Sequence, residues 1–169
     1  MRENGSKIER KYLAHYIDAS FNSTTPNYVR LGKDLEQLNI EMNPDKESKQ
    51  NILGETSVTV KGYAPSVSVD TYYAYAGEAL YDKLEEIVNN RATGSDLETT
   101  VVDVLLDNDG TVISAHRENV IVTPSSYGGG SDGVQIPFNY DYNGGRTEGL
   151  WDVKTKTFTA GSGTGSSGN

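Results

Sequence analysis

The sequence predicts a mainly β fold, a β-sandwich or open barrel with one α-helix packed against it. Only the stretch 74–91 has a convincing helical period. Its apolar residues recur at steps of three and four: Ala76, Leu80, Leu84, and Ile87 or Val88. Most other apolar residues alternate with polar ones, as in strands that bury one face. A helix with one apolar stripe must bury that stripe against another element, so we expect it to lie on the sheet.

The composition is that of one acidic domain without cysteine. The chain has 169 residues and a formal net charge of −9, and its length suffices for one domain with a hydrophobic core. The absence of cysteine excludes disulfides and thiolate metal sites. An acidic protein is poorly suited to grip nucleic acid, because phosphate contacts need Lys and Arg. It is compatible with a surface past which DNA slides without sticking.

We divide the chain into an arm, a domain and a tail. Residues 1–27 are polar, with a basic start at 1–11, and we expect an N-terminal arm with room for one short element at 12–17. Residues 28–159 form the β-sandwich domain. Residues 160–169, rich in Gly and Ser, are expected to be a disordered linker, native or left by cloning. No segment resembles an export signal or a membrane span, which predicts synthesis in the cytosol.

The most regular alternation falls on either side of 62–65. Valines alternate with polar residues in 57–61 and again in 66–70, and two such runs joined by a short Gly/Pro segment predict an antiparallel hairpin. Its core face would carry Val58, Val60, Val67 and Val69. Its polar face would carry Ser57, Thr59, Lys61, Ser66, Ser68 and Asp70, with Lys61 balanced by Asp70.

A charged segment, 43–55, precedes that hairpin. It opens with Asn-Pro and holds two apolar residues, Ile52 and Leu53, just before Gly54. A charged loop of this length is often functional. A solvated excursion without contacts fits the same residues equally well.

Further alternating runs complete the predicted sheet. The turn at 107–110, Asp-Asn-Asp-Gly, is a strong hairpin signal, and Pro137 confines its strand to an edge or a bulge. The other predicted strands are 28–31, 38–42, 97–106, 111–122, 134–142, 150–153 and 155–159.

No active site or metal centre is recognisable in the sequence. His15 and His116 lie far apart, and no Ser-His-Asp or Cys-His order accompanies them. The run at 107–110 lacks the downstream glutamate of a calcium loop, and the glycines at 128–130 do not lead into a phosphate-binding motif. We therefore expect no enzymatic activity, no cofactor and no metal.

The order of these features resembles the bacteriophage tail tube protein (major tail protein) family. The stretch NILGETSVTVKGYAPSVSVDTYYAYAGEALYDKL carries most of the resemblance, which covers residues 25–159. It implies a β-sandwich with one flanking helix that assembles into hexameric rings. The rings stack into a hollow tube of a virion tail, which holds the tape measure protein and later passes DNA.

The resemblance also assigns roles to parts of this chain. Segment 43–55 matches the family's long loop, which reaches neighbouring subunits, and residues 1–11 match an arm between rings. The inter-subunit candidates are Asn43, Asp45, Lys46, Glu47, Lys49, Ile52 and Leu53. The polar face of the predicted hairpin matches the lining of the lumen, which makes its six residues lumen-lining candidates.

Two other classes of function stay open. The 11 tyrosines suit a β-sandwich that recognises carbohydrate or a receptor at a virion or cell surface, since Tyr combines ring area with a polar tip. The third hypothesis is a small hydrolase with paired carboxylates, although nothing singles out a pair among 24 acidic residues. Rings or filaments are expected only of a tube subunit.

Overall fold

The computed structural model describes residues 2–21 and 24–161. They form β1 (Leu13–Asp18), β2 (Tyr28–Leu31), β3 (Ile40–Glu41), β4 (Pro44–Gln50), β5 (Thr56–Tyr63), β6 (Ser66–Val69), α1 (Ala79–Asn90), β7 (Glu98–Leu106), β8 (Val112–Pro124), β9 (Phe138–Tyr142), β10 (Thr147–Asp152) and β11 (Thr157–Ala160). Short 3₁₀ turns occupy Arg10–Tyr12 and Gly94–Leu97. The predicted mainly β fold with one packed helix is confirmed.

Nine strands form one antiparallel sheet in the order β2-β1-β7-β8-β9-β6-β3, in which β10 also pairs with β8, and β11 pairs with β10. The sheet divides along β8. Residues 115–117 of β8 pair with β10, whereas residues 120–124 pair with β9. This division lets the sheet curl into a half-barrel with a core on each face.

The larger core lies between the sheet and α1. Leu80, Leu84 and Ile87 are the buried residues of the helix, as the helical period predicts. Leu80 and Leu84 belong to a cluster with Val120 and Phe138 of the sheet. The helix therefore covers one face of the half-barrel through its single apolar stripe.

The smaller core lies on the opposite face, under β10 and β11. Trp151 packs there against Tyr16, with ring centroids 4.5 Å apart, and edge-on against Tyr28 at 5.5 Å. Gly149 permits the close approach of β11, because a Cβ at this position would lie 2.3 Å from the carbonyl oxygen of Thr159. The β10–β11 hairpin thus seals the second face of the sheet.

The helix is shorter than the predicted stretch 74–91. Gly77 has a φ of 88°, and this left-handed residue ends the preceding turn, so that α1 starts at Ala79. Arg91 ends the helix in the left-handed conformation and donates its N–H to the carbonyls of Ile87 and Val88. A left-handed arginine therefore ends α1.

The sheet begins before residue 28. β1 lies inside the segment 1–27 that was expected to form an arm, and it pairs with β2 on one side and β7 on the other. Five of its six residues are buried, because its two faces contact different cores. β1 coincides with the short element expected at 12–17, and its strand character was not recognised because a strand buried on both sides lacks clean alternation. Met1, Asn22 and Ser23 of the expected arm lie outside the described residues.

The predicted hairpin between 57–61 and 66–70 is wrong. β5 pairs with β4 over Pro44↔Tyr63 to Gln50↔Thr56, whereas β6 pairs with β9 and β3. The chain reverses at 51–55, within the segment expected to be a loop, and only kinks at 64–65. Turn-forming residues occur both at 51–55 and at 62–65. The chain reverses at 51–55 because β6 pairs with β3 and β9, which leaves β5 to pair with β4.

The remaining predicted strands exist in the structure, although several begin or end at other residues. β7 and β8 form the hairpin around 107–110, and β10 with β11 forms the last hairpin. The predicted strand 134–142 is shortened to β9, which starts directly after Pro137 because proline cannot donate to a ladder. The expected edge position is wrong, since β9 lies between β8 and β6 and pairs with both. Of the expected tail 160–169, Ala160 ends β11 and residues 162–169 lie outside the described residues.

Candidate functional site

A hairpin arm, β4 and β5 with their connection (residues 44–63), is the most exposed feature of the fold. Within the described residues, β4 and β5 pair with each other and with no other strand. All arm residues are exposed except Glu47 and Gly62, which are half-buried. At about 3.3 Å per residue, the arm extends roughly 20 Å or more. Both faces of this two-stranded ribbon therefore meet solvent.

The two faces of the hairpin arm differ in chemistry. Val58 and Val60 are 64% and 45% exposed, and the register places them opposite Ser48 and Lys46. They do not face the core as expected, because β5 has left the main sheet. The other face is ionic: the Glu47 carboxylate lies 2.8 Å from the Lys61 ammonium. The expected balance between Lys61 and Asp70 is thus replaced by a pair with Glu47.

The tip of the hairpin arm, residues 51–55, is organised by Asn51. Its side-chain oxygen accepts hydrogen bonds from the backbone N–H of Leu53 (2.9 Å) and Glu55 (3.0 Å). Its side-chain nitrogen donates to the Glu55 carboxylate at 2.8 Å. Ile52 and Leu53 are 103% and 77% exposed at this tip. Two apolar side chains are thereby presented on an internally bonded turn.

An elbow centred on Asn43 joins the hairpin arm to the sheet. Asn43 has a φ of 45°, and its side-chain amide donates to the carbonyl of Ala64 at 3.0 Å and to the Ser66 hydroxyl at 3.1 Å. On the body side, the N–H of Tyr142 donates to the carbonyl of Pro65 at 3.0 Å. β3–β4 and β5–β6 are therefore the two sides of one long hairpin that bends at the elbow.

A polar face lies on the sheet beside the elbow. The register places Ser66 opposite Asp141, and Ser68 opposite Asn139. Ser68, Asn139 and Asp141 are exposed, whereas the valines of β6 point into the larger core. This surface is hydrated and carries a negative charge at Asp141.

The lumen-lining candidates are consequently divided between two places. The structure puts Ser66 and Ser68 on the polar face of β6 and exposed Asp70 directly after that strand. It puts Ser57, Thr59 and Lys61 on the hairpin arm. The inter-subunit candidates stay together: Asn43 forms the elbow, and Asp45, Lys46, Glu47, Lys49, Ile52 and Leu53 belong to the hairpin arm.

Sequence reasoning missed the apolar stripe of the hairpin arm and the residue that organises its tip. Val58 and Val60 were predicted to be core residues, because an alternating pattern does not show whether another element packs on the apolar side of the strand. The signal for the tip was the run Asn-Ile-Leu-Gly at 51–54, since Asn commonly bonds backbone N–H groups and Gly takes the left-handed conformation.

A partly buried polar network around Asp103 borders the larger core, against which Tyr142 packs. The His15 ring donates through Nδ1 to Asp103 at 2.6 Å, and Tyr142 donates to the other carboxylate oxygen at 2.7 Å. Arg10 can only donate, so His15 Nε2, 2.9 Å away, accepts from its guanidinium. Burial, followed by the charge of Asp103, raises the pKa of Tyr142 well above its usual value. His15 is only 3% exposed, which keeps its ring from any substrate.

Other chemical sites are sparse in the part of the chain that the structure describes. No group of three or more His, Cys, Asp or Glu residues among 2–21 and 24–161 is arranged to hold a metal ion. The described residues form no helix with the length and apolar character needed to cross a bilayer.

The fold is similar to solved structures of contractile injection systems. A sheath/tube terminator of the extracellular contractile injection system PVC, in the extended state, matches with a TM-score of 0.57 at 8% identity over 88% of this chain and 100% of that chain. The tube-terminating cap of the anti-feeding prophage matches at 0.54 and 12% identity, over 88% and 94% of the chains. A chain of the PVC sheath-tube complex matches at 0.52 and 8% identity, over 86% and 93%.

No protein-family model matches the sequence, and no curated protein matches it. At such low identities the likeness concerns the fold alone. The chain therefore has the fold of phage tail tube-related proteins, a curled β half-barrel with one helix on its face.

Proposed function

We propose that this protein is a structural subunit of a tail tube, which assembles into rings, hexameric as in the family it resembles, that stack around a channel. The hairpin arm carries this proposal. An isolated two-stranded hairpin is marginally stable in water, yet this one displays Val58, Val60, Ile52 and Leu53 to solvent. Such a surface is suited to burial against another subunit. The similarity to tube terminator and cap structures supports the same role in a tail particle.

In this proposal the hairpin arm is the main contact between subunits. Ile52, Leu53 and the two exposed valines would lose solvent, and the charges of Asp45, Lys46, Glu47 and Lys49 would set register and specificity at the rim. The elbow at Asn43 sets the direction in which the arm leaves the body.

The polar face of β6 and β9 would line the channel. Ser66, Ser68 and Asp70 stand there with Asn139 and Asp141. DNA phosphates would meet hydroxyls, amides and negative charge, so DNA passes without being held. The same channel would hold the tape measure protein before DNA enters.

The positions of the tyrosines favour this role over a Tyr-rich recognition surface. Tyr16, Tyr28 and Tyr140 are buried in the two cores. The hydroxyls of Tyr142 and Tyr72 donate to Asp103 and Glu78. Much of the tyrosine content thus serves the interior of the fold.

A tube terminator is the second candidate function, since two of the similar structures are a tube terminator and a tube-terminating cap. A terminator would close the end of a tube and would not stack on itself. A terminator would form single rings that do not stack into tubes, whereas a tube subunit would form stacked rings.

Negative-stain electron microscopy of the concentrated protein tests the proposal. We expect stacked rings or tubes, and single rings would select the terminator. A variant with residues 46–60 replaced by a two-residue Asn-Gly turn should give the same thermal unfolding of the body but no rings. A wild-type protein that stays monomeric under all conditions, or rings formed by the shortened variant, would contradict the proposal.

A further inference from the structure

A groove lies where the C-terminal end of α1 meets the end of β8 and the loop that follows it. We call it the helix-end groove, and its volume is about 340 Å³. Its walls are largely apolar and come from three parts of the chain: Ile87, Val88, Ala92, Leu97, Pro124 and Tyr127. Another apolar groove, at the start of α1 beside Leu35 and Leu80, has a volume of about 150 Å³, which is less than half as large.

The rim of the helix-end groove is held in place by hydrogen bonds. The Tyr127 hydroxyl lies 3.3 Å from the Tyr81 hydroxyl and donates to Glu85 at 3.4 Å, so its ring is tied to the helix. The N–H and hydroxyl of Ser125 both donate to the carbonyl of Pro137, at 2.8 and 3.0 Å. A ligand would therefore meet a preformed groove.

Arg91 is the one charged residue among those that line the groove, while the Glu85 carboxylate lies at its rim beside Tyr127. The Arg91 side chain lines it and is exposed, and its guanidinium makes no ion pair with any acidic residue in 2–21 or 24–161. In a protein of net charge −9, an unpaired arginine beside an apolar groove favours a ligand that brings a carboxylate next to apolar side chains.

The tip of the hairpin arm has this combination. Ile52 and Leu53 project into solvent, and Asn51 holds the Glu55 carboxylate on the same turn. Because the tip is bonded internally, docking would require little ordering of its backbone.

We propose that the tip of one copy docks in the helix-end groove of a second copy, with Ile52 and Leu53 in the groove and Glu55 paired with Arg91. The inference rests on the proposed tube function and names the surface that receives the arm. It makes the contact heterologous, because a tip on one subunit meets a different surface on the next.

Disulfide trapping tests the docking, since the chain has no cysteine of its own. A Leu53→Cys variant is mixed with an Ala92→Cys variant under mild oxidation, so that a heterodimer can form only between copies. A bond needs Cβ atoms about 4 Å apart. The control is Leu53→Cys mixed with Leu150→Cys, which places the thiol on a different exposed apolar surface. We expect at least about tenfold more heterodimer with Ala92→Cys than with the control, as specific contacts predict.

A charge swap gives an independent readout. In the trapping pair, Glu55→Lys or Arg91→Glu alone should lower the rate of heterodimer formation by about tenfold, and the two together should restore it to within about twofold. A yield of heterodimer no higher than that of the control would overturn the docking. So would a double charge swap that does not restore the rate of heterodimer formation.

Electron microscopy of the same mixtures separates this inference from the proposed function. If tubes form without specific disulfide trapping, the proposed tube function is supported, but the tip binds a surface other than the helix-end groove. The absence of both rings and trapping would overturn both proposals.

Discussion

Two tyrosines of β9 show how the same side chain has opposite energetic effects in one core. Tyr142 donates its hydroxyl to Asp103, which also accepts from His15. The Tyr140 hydroxyl is buried without a hydrogen-bond partner among the described residues, although the Tyr142 ring lies 5.8 Å away. Because the Tyr142 hydroxyl is directed to Asp103, the Tyr140 hydroxyl remains uncompensated.

Removing the two hydroxyls should therefore have opposite effects. Tyr140→Phe should leave the free energy of unfolding unchanged or raise it by up to about 1 kcal/mol, since it removes an unpaired buried polar group. Tyr142→Phe should lower it by about 1–3 kcal/mol, because Asp103 loses a donor. Urea unfolding measures both variants, and a larger loss for Tyr140→Phe would contradict the assignment.

Alkaline pH should destabilise the protein through the same residues. Burial raises the pKa of Tyr142 and of Tyr140 above the ordinary value of 10.0, and burial with the charge of Glu78 raises that of Tyr72. The folded state keeps these phenols protonated, whereas the unfolded state releases their protons above that value. The free energy of unfolding is therefore unaffected by these phenols below the ordinary tyrosine pKa of 10.0, and it decreases as the pH rises above that value.

Thermal midpoints measured at increasing alkaline pH check this expectation. Tyr142→Phe should make the decrease shallower, because one phenol no longer contributes to it. If the thermal midpoint of the wild-type protein does not change as the pH passes the ordinary tyrosine pKa, the expected alkaline destabilisation is contradicted.

Among the elements, α1 depends most on a single residue. Leu84 is fully buried between Leu80 and Ile87, in the centre of the stripe that covers the sheet. Leu84→Ala should cost about 2–5 kcal/mol, the usual loss for a core leucine. Asn89→Ala, on the exposed side of the same helix, is the matched control. Equal thermal midpoints for the two variants would contradict packing of the helix on the sheet.

Local patterns in the sequence predicted the elements whose partners are close in the chain. The helical stripe is visible because its residues contact one surface, and β7 and β8 are visible because Asp109 and Gly110 turn the chain between two apolar runs. The fold class followed from these two observations.

The hairpin arm was misassigned because its strands obey no local rule. β4 consists largely of charged and polar residues that are uncommon in strands, and it exists through pairing with β5. β6 looked like the partner of β5, but it pairs with β3 and with β9, which lies far along the chain. Of the candidate contact surfaces, the sequence thus located the exposed Ile52 and Leu53 but not the elbow or the groove.

At the scale of the whole molecule, the proposed tube would place the polar face of β6 and β9 against DNA in the channel. Ser68→Arg with Asn139→Arg would add two neighbouring positive charges to each subunit. Assembly should proceed as before, while the tubes retain DNA at low salt and release it as salt rises. The matched control replaces both residues by Gln.

Retention of DNA is measured by cosedimentation with assembled tubes over a salt series. If the Arg variant retains no more DNA than the Gln variant, the polar face does not line the channel. Loss of assembly with a folded subunit would instead place the face in a subunit contact.

Because β4 and β5 pair with no other strand among the described residues, the hairpin arm can open while the rest of the sheet stays closed. Trypsin should therefore cut at Lys46, Lys49 or Lys61 long before the body unfolds. A subunit cut at both Lys49 and Lys61 would release residues 50–61, and with them the tip, but would keep its helix-end groove. It would accept one neighbour and offer nothing to the next, so a small fraction of nicked copies would stop growth at one end of a tube.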